Sequence, residues 1–302
     1  MRSTARVGVI GTGNMGAPMV LRLVERGWRL VVRDLRSEAE APLAAAGATV
    51  AASPAELAAA CDWLMLVVVD AAQLNAVLFD GPQPAAPCLR AGQIVLVHST
   101  VAPDQVRALA ERLAPTGAVL LDAPISGGPA RARTGTLSLM LSGAPAARER
   151  SAPLLADLAS AVFTLGEAPG QAAAMKLVNN LLAGVHLAAA AQAFALGERA
   201  GLSREQMLAV TQASSGQSWI AGERLGRWMQ GDRAVRAQAK ILAKDLRLAA
   251  DWARASGAEA SLGVEARAVF EAVLAAGLGE EDDAVLFDAL SAAVSRAGGA
   301  AD

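Results

Sequence analysis

Lys176 and Asn180 interrupt a long apolar stretch of helical periodicity, four residues apart and therefore on one face of a helix. Burying an ammonium group is costly, so an interior lysine on such a helix is a conspicuous choice. Partial burial moves a lysine pKa toward neutrality, which suits proton exchange with a hydroxyl. The same residue also reads as a surface lysine snorkelling from a helix start. Upstream, Asp122-Ala123-Pro124-Ile125-Ser126-Gly127-Gly128-Pro129 leaves a strand into a glycine-rich turn. The Ser126 hydroxyl and the backbone N–H groups of Gly127 and Gly128 could together receive a carboxylate. On its own the segment is also compatible with an ordinary strand-exit turn. Tyr is absent from the chain, which excludes a tyrosine as catalytic acid.

A second constellation lies near the N-terminus. Gly11-Thr12-Gly13-Asn14-Met15-Gly16 follows an apolar strand and opens a helix. In that position the first glycine permits a tight turn, the second lets backbone approach a pyrophosphate, and the third lets helix pack on strand. The helix N-terminus offers N–H groups and partial positive charge to phosphates. Asp34 ends the next strand, where a carboxylate accepts hydrogen bonds from ribose hydroxyls and repels a 2′-phosphate. The expected cofactor is therefore NAD. Arg33 and Arg36 flank Asp34, and either could turn to hold the extra phosphate of NADP.

These groups need a scaffold. Strands are expected at Arg6–Ile10, Leu30–Arg33, Leu64–Val69, Ile94–Val97, Val119–Asp122, Leu137–Leu141 and Val162–Leu165, with a helix over Pro18–Arg26. Alternation of this kind predicts a parallel sheet covered on both faces. After Leu165 the strand signals stop. Helical periodicity follows over Gln171 to Arg199, Arg204 to Ala213, Gln238 to Ser256, Leu262 to Ala275 and Asp282 to Arg296. The expected fold is an α/β Rossmann-type domain over 1–167 and an all-α domain over 168–302, joined by a long interdomain helix.

Composition narrows the function classes. The 302 residues suffice for two domains, and 54% are apolar. A net charge of −2 gives no basic excess for nucleic acid or an anionic membrane. Cys61 and Cys88 read as free thiols, and no ligand cluster suggests a metal. The opening Met-Arg-Ser-Thr-Ala-Arg lacks the apolar core of a signal peptide, so a cytoplasmic location is expected. The apolar run Leu181–Gly197 contains His186 and Gln192 and reads as a buried helix, not a membrane span. His98 reads as a satisfied strand-end histidine and Trp219 as a core residue. His186 lies roughly 15 Å along the helix from Lys176 and reads as packing or a distal pocket wall.

Through nearly its whole length the chain resembles the β-hydroxyacid dehydrogenases. The resemblance rests on the Gly11–Gly16 loop with its Asn-Met, Ser99-Thr100-Val101-Ala102-Pro103, Asp122–Gly128 continuing to Gly135-Thr136-Leu137, Lys176-Leu177-Val178-Asn179-Asn180, and Lys244-Asp245-Leu246. Its C-terminal half most resembles the L-threonate dehydrogenase branch, through Leu181–Ala191, Gly216-Gln217-Ser218-Trp219 and Gly279–Asp283. The resemblance implies that Lys176 is the acid/base and that Asn180 orients Lys176 or the substrate. It implies that Ser126, Gly127 and Gly128 hold the substrate carboxylate. Gly11, Thr12, Gly13, Asn14, Met15, Gly16, Asp34, Val68, Val69, Thr100 and Lys244 would contact the cofactor, with Thr100 and Lys244 beside its nicotinamide half. It also implies a small hydroxy acid as substrate and a homo-oligomer, dimer or tetramer. Enzymes acting on 3-hydroxyisobutyrate or tartronate semialdehyde share the carboxylate turn, so the turn does not choose among them. A non-catalytic dinucleotide-binding module on this fold would not need Lys176 and Asn180. Imine-reducing relatives generally lack the lysine.

Overall fold

A computed structural model describes residues 5–298. Contacts divide the chain into two compact units, Met1–Lys176 and Leu177–Asp302.

The first unit alternates strands and helices: β1 (Arg6–Ile10), α1 (Gly16–Glu25), β2 (Arg29–Arg33), α2 (Ser37–Ala45), β3 (Thr49–Val50), α3 (Pro54–Ala60), β4 (Trp63–Leu66), α4 (Ala71–Asn75), β5 (Ile94–Val97), α5 (Pro103–Leu113) and β6 (Val119–Asp122). It continues with β7 (Ile125–Ser126), α6 (Gly128–Thr134), β8 (Leu137–Ser142), α7 (Pro145–Leu158) and β9 (Ala159–Gly166). The sheet order is β3-β2-β1-β4-β5-β6-β8-β7, with β9 on β8. From β3 to β6 every pairing is parallel, and β8 runs antiparallel to β6. The strands are continuous apolar runs because both faces are covered. In β4, Trp63 and Met65 enter one core, and Leu64 and Leu66 the other.

The order β3-β2-β1-β4-β5-β6 is that of a doubly wound Rossmann sheet, whose direction of winding reverses between β1 and β4. Ligands of such sheets bind outside the carboxyl ends of the strands at that reversal. The Gly11–Gly16 loop leaves β1 there, and Val67–Val69 leave β4 beside it.

The second unit is helical. α8 (Gln171–Arg199) runs through the division between the units. Next come α9 (Arg204–Gln212), α10 (Trp219–Met229), α11 (Ala239–Ala255), α12 (Ser261–Ala275) and α13 (Val285–Gly298). Their core gathers Leu187, Phe194, Leu225, Leu246, Phe270 and Phe287.

Three sequence expectations change. The strand expected over Leu64–Val69 ends at Leu66. Beyond it the chain turns out, with the Asp70 side chain capping α4 and Gln73 Oε1 accepting from Val69 N–H. α10 has no counterpart in the sequence reading, because its apolar positions are interleaved with Arg and Glu behind a glycine-containing turn. Finally, α8 is long and apolar enough to cross a membrane by length and composition, yet only a third of its most apolar window is buried. Leu187, Ala188, Ala191 and Phe194 are covered, whereas Leu182 and Leu196 are exposed.

Candidate active site

The glycine loop has the shape of a phosphate cradle. Gly11 has φ +92°, and a Cβ there would fall 2.4 Å from Val67 O. A Cβ on Gly16 would fall 1.9 Å from Gly11 O, so only glycine lets α1 start against β1. Gly13 differs, because its nearest neighbour would be Arg36 Nη2 at 3.7 Å. Nothing in the protein demands glycine at 13, whereas a ligand approaching the backbone there does. Met15 provides no side-chain cap for α1; within its first turn Ala17 N–H donates to Gly13 O at 3.0 Å and Pro18 has no N–H, so the positive end of the helix, more than a row of free donors, is what α1 offers an anion.

Asp34 closes this cradle. Its Oδ2 accepts from Thr12 N (2.7 Å) and Thr12 Oγ1 (3.2 Å), and its Oδ1 from Arg36 N (3.0 Å) and Arg36 Nε (3.4 Å). Partial burial raises its carboxyl pKa, but those hydrogen bonds and the Arg36 charge outweigh burial and hold it below the usual carboxylate range. Thr12 is buried and ties the loop to the strand end. Glu40, overlooked in the sequence, accepts from Asp34 N (2.7 Å) and pairs with Arg33 (3.2 Å). Only its position seven residues after Arg33 hinted at this. A dinucleotide therefore fits the loop: Gly13 leaves room for phosphates, and the Asp34 carboxylate stands at the end of β2 beside it.

Further along the sheet edge, Ser99 Oγ accepts from Val68 N at 3.1 Å, joining the ends of β4 and β5. This places Val68, exposed Val69 and partly buried Thr100 on adjacent strand ends. His98 is buried. Its Nδ1 lies 2.6 Å from Ala123 O, while Nε2 has no partner among the described residues, so the expectation of a satisfied histidine is half met. Burial lowers its pKa to about 4, against the smaller raising effect of the Ala123 bond, and keeps the ring neutral.

The glycine-rich turn follows β6. Ser126 pairs with Ser138 through β7, and Gly127 and Gly128 adopt φ of +134° and +74°, a conformation glycine takes without strain. The Ser126 hydroxyl makes no hydrogen bond among the described residues. Four residues earlier, buried Asp122 performs a task that sequence reasoning missed. Its Oδ2 accepts from Ala173 N (2.8 Å), Gly170 N (3.0 Å) and Ser142 Oγ (3.3 Å), while Ser142 Oγ accepts from Ala172 N (3.1 Å). One carboxylate and one hydroxyl thus cap the start of α8, three residues before Lys176. Burial raises the Asp122 carboxyl to about 6, although the bonds from Ala173, Gly170 and Ser142 pull it down. Lys176 itself is buried, 8% exposed.

In the second unit, Asn180 Nδ2 donates to Asp245 Oδ2 at 2.6 Å, and Asn180 Oδ1 accepts from Asn179 Nδ2 at 3.0 Å. Lys244 Nζ stands 2.8 Å from Asp245 Oδ1, an ion pair off the hydrogen-bonding line. Asp245, buried in α11, is thus the partner of two site candidates. The motif Lys244-Asp245-Leu246 contained it, but only Lys244 had been singled out. Two other expectations fail. Trp219 is 66% exposed at the first turn of α10, and His186 is exposed on α8, because neither helix buries that face in one chain. Cys61 is a buried free thiol, pushed to about 12 chiefly by burial, and Cys88 is exposed.

Residues 6–166 match the model for the NAD binding domain of 6-phosphogluconate dehydrogenase. Residues 170–290 match that for the NAD-binding region of NADP-dependent 3-hydroxyisobutyrate dehydrogenase. The chain belongs to the β-hydroxyacid dehydrogenase family. It is 40% identical to an L-threonate dehydrogenase of Cupriavidus necator over 280 residues, covering 93% of this chain and 94% of that one. A crystal structure of 3-hydroxyisobutyrate dehydrogenase from Salmonella typhimurium superposes with a TM-score of 0.85 at 37% identity, covering 94% and 99% of the two chains. Psf3 in complex with NADP+ and 2-OPP superposes at 0.86 with 28% identity, covering 94% and 100%. This β-hydroxyacid dehydrogenase is an NAD(P)-dependent oxidoreductase.

The two buried titrating groups on adjacent strands oppose each other as pH falls. Neutral His98 resists a proton that the unfolded chain accepts, so between about pH 6.5 and 4 its stability contribution is lost. Asp122 accepts a proton in the fold before the unfolded chain does, so between about pH 6 and 4 its contribution grows. Each amounts to roughly 3 kcal/mol. Relative to wild type, His98→Asn should gain thermal stability as pH falls through this window, and Asp122→Asn should lose it. Melting temperatures from pH 4 to 7 check this, and curves parallel to wild type for both variants would contradict it.

Proposed function

We propose that this dehydrogenase reversibly oxidises the hydroxyl-bearing carbon of a small hydroxy acid, L-threonate or a similar four-carbon acid, with NAD as cofactor and Lys176 as general acid/base. The observation that carries the reading is the Asp122 cap. It joins the strand leading into the Ser126–Gly128 turn to the helix start that bears Lys176.

The roles follow from chemistry. Ser126 Oγ and the N–H groups of Gly127 and Gly128 receive the substrate carboxylate, fixing one end of the acid. Lys176, as the neutral amine, takes the hydroxyl proton when the acid is oxidised. Its ammonium returns that proton in the reverse direction. Asn180, one turn further along α8 and held by Asp245, orients the hydroxyl or Lys176. The Gly11–Gly16 loop, with Thr12, Asn14 and Met15, holds the pyrophosphate and Asp34 the adenosine ribose. Val68, Val69 and Thr100 line the path toward the nicotinamide, and the family resemblance assigns Lys244 to its nicotinamide half as well. A bound nicotinamide supplies the hydride acceptor.

NAD is favoured over NADP because ionised Asp34 repels a 2′-phosphate, and Glu40 holds Arg33 aside. The L-threonate preference is supported by the name and 40% identity of the Cupriavidus relative. A second reading, 3-hydroxyisobutyrate, is supported by the name of the Salmonella structure. Initial rates with L-threonate, D-glycerate and 3-hydroxyisobutyrate, each with NAD and NADP, test both. L-threonate with NAD should be fastest, and Lys176→Ala should lower kcat by roughly 10²–10⁴-fold. Full turnover by the alanine variant would remove Lys176 from the chemistry, and a preference for NADP would remove the role given to Asp34.

The uncovered apolar positions of α8, Leu182 and Leu196 among them, support a homo-oligomer, a dimer or tetramer. Light scattering should give a multiple of the 30.7 kDa chain mass, and a monomer at micromolar concentration would refute it.

A further inference from the structure

Arg131 stands on α6, one turn beyond the Ser126–Gly128 segment. Its side chain doubles back over that segment, as helical side chains lean toward the N-terminus. A Cβ on Gly127 would meet Arg131 Cδ at 2.9 Å, Cβ at 3.1 Å and Nε at 3.3 Å. The space a side chain would fill at Gly127 is therefore taken by an arginine. Arg133, two residues on, is paired with Glu25. Partly buried Arg131, by contrast, makes no side-chain hydrogen bond or ion pair among the described residues. The hydroxyl of Ser126, the residue before Gly127, is likewise unengaged among the described residues, and a Cβ on Gly128 would meet nothing within 4 Å. A donor fork, a free hydroxyl and open space thus meet at one turn.

We infer that Arg131 is a specificity-determining residue that grips the carboxylate of the hydroxy acid alongside the backbone N–H groups of that turn. The inference rests on the reading of Ser126–Gly128 as the substrate turn. The planar fork of a guanidinium matches a carboxylate in two parallel hydrogen bonds. With no carboxylate of the protein to give up, it engages the substrate without breaking an existing pair. A backbone N–H pair alone discriminates weakly between a carboxylate and a neutral carbonyl. An added guanidinium makes the site select the anion, so the substrate class is the free acid and not its amide or alcohol.

The experiment compares wild type, Arg131→Gln and Arg131→Lys with the acid that wild type oxidises fastest and with its primary amide. Arg131→Gln keeps the stem over Gly127 and removes the charge. It should raise KM for the acid roughly 10–100-fold and move kcat less, leaving KM for the cofactor and for the amide unchanged. Arg131→Lys, with charge but no fork, should fall between. An unmoved KM for the acid overturns the inference, and so does an equal rise for acid, amide and cofactor. Wild type silent toward every acid would overturn the functional reading and this inference with it. An active wild type with indifferent Arg131 variants would overturn the inference alone.

Discussion

The first unit depends on one buried carboxylate. Asp122 ends a central strand, and its Oδ2 gathers the N–H groups that open α8. A helix start leaves its first N–H groups without intrahelical partners, and burying them unsatisfied costs about 1–3 kcal/mol each. Desolvating a carboxylate costs several kcal/mol. Here each deficit offsets the other. The N–H groups and the positive end of the helix stabilise the charge, and the charge satisfies the helix. Burial still wins part of the contest, which is why the carboxyl titrates near 6.

On the proposed reading this clasp bears on function because of what lies on either side of it. Four residues on is Ser126, and three residues beyond Ala173 is Lys176. If Lys176 is the proton donor and Ser126–Gly128 the carboxylate turn, as proposed, a small shift of the helix start against that turn would be felt in the chemical step. Asp245 plays the corresponding part in the helical unit, fixing Asn180 from α11. Asp34 does so in the nucleotide cradle, where it binds Thr12 within the loop. In all three places an aspartate receives donors from a neighbouring element and so fixes a residue of the proposed site.

The sequence revealed the parts whose signal is local. The 3.6-residue period of Gln171–Arg199 and the apolar runs of β1, β5 and β6 were legible because each element carries its pattern within itself. The glycine loop was legible for the same reason. β3 and β7, two residues each, are too short for any period to register. α10 was hidden by its charged residues, which pair across the helical unit: Arg227 with Asp282 and Arg224 with Asp283. Asp122 and Asp245 were present in motifs, yet their roles depend on contacts across tens of residues, whereas Glu40 lies in no motif and acts on Asp34 and Arg33 six and seven residues away. The opposite errors have the same origin. Trp219 and His186 look like interior residues by type, but one chain alone does not cover the faces they occupy.

The clasp can be tested by hydrogen exchange with activity measured alongside. In Asp122→Ala, amides from Gly170 to Lys176 should exchange faster than in wild type, while those of α1 stay protected. In the same variant kcat should fall at least about tenfold with NADH affinity unchanged, and Asp122→Asn, which keeps an acceptor, should recover part of both. Unaltered exchange at 170–176, or wild-type kcat despite faster exchange there, would contradict the view that this carboxylate holds Lys176 in place.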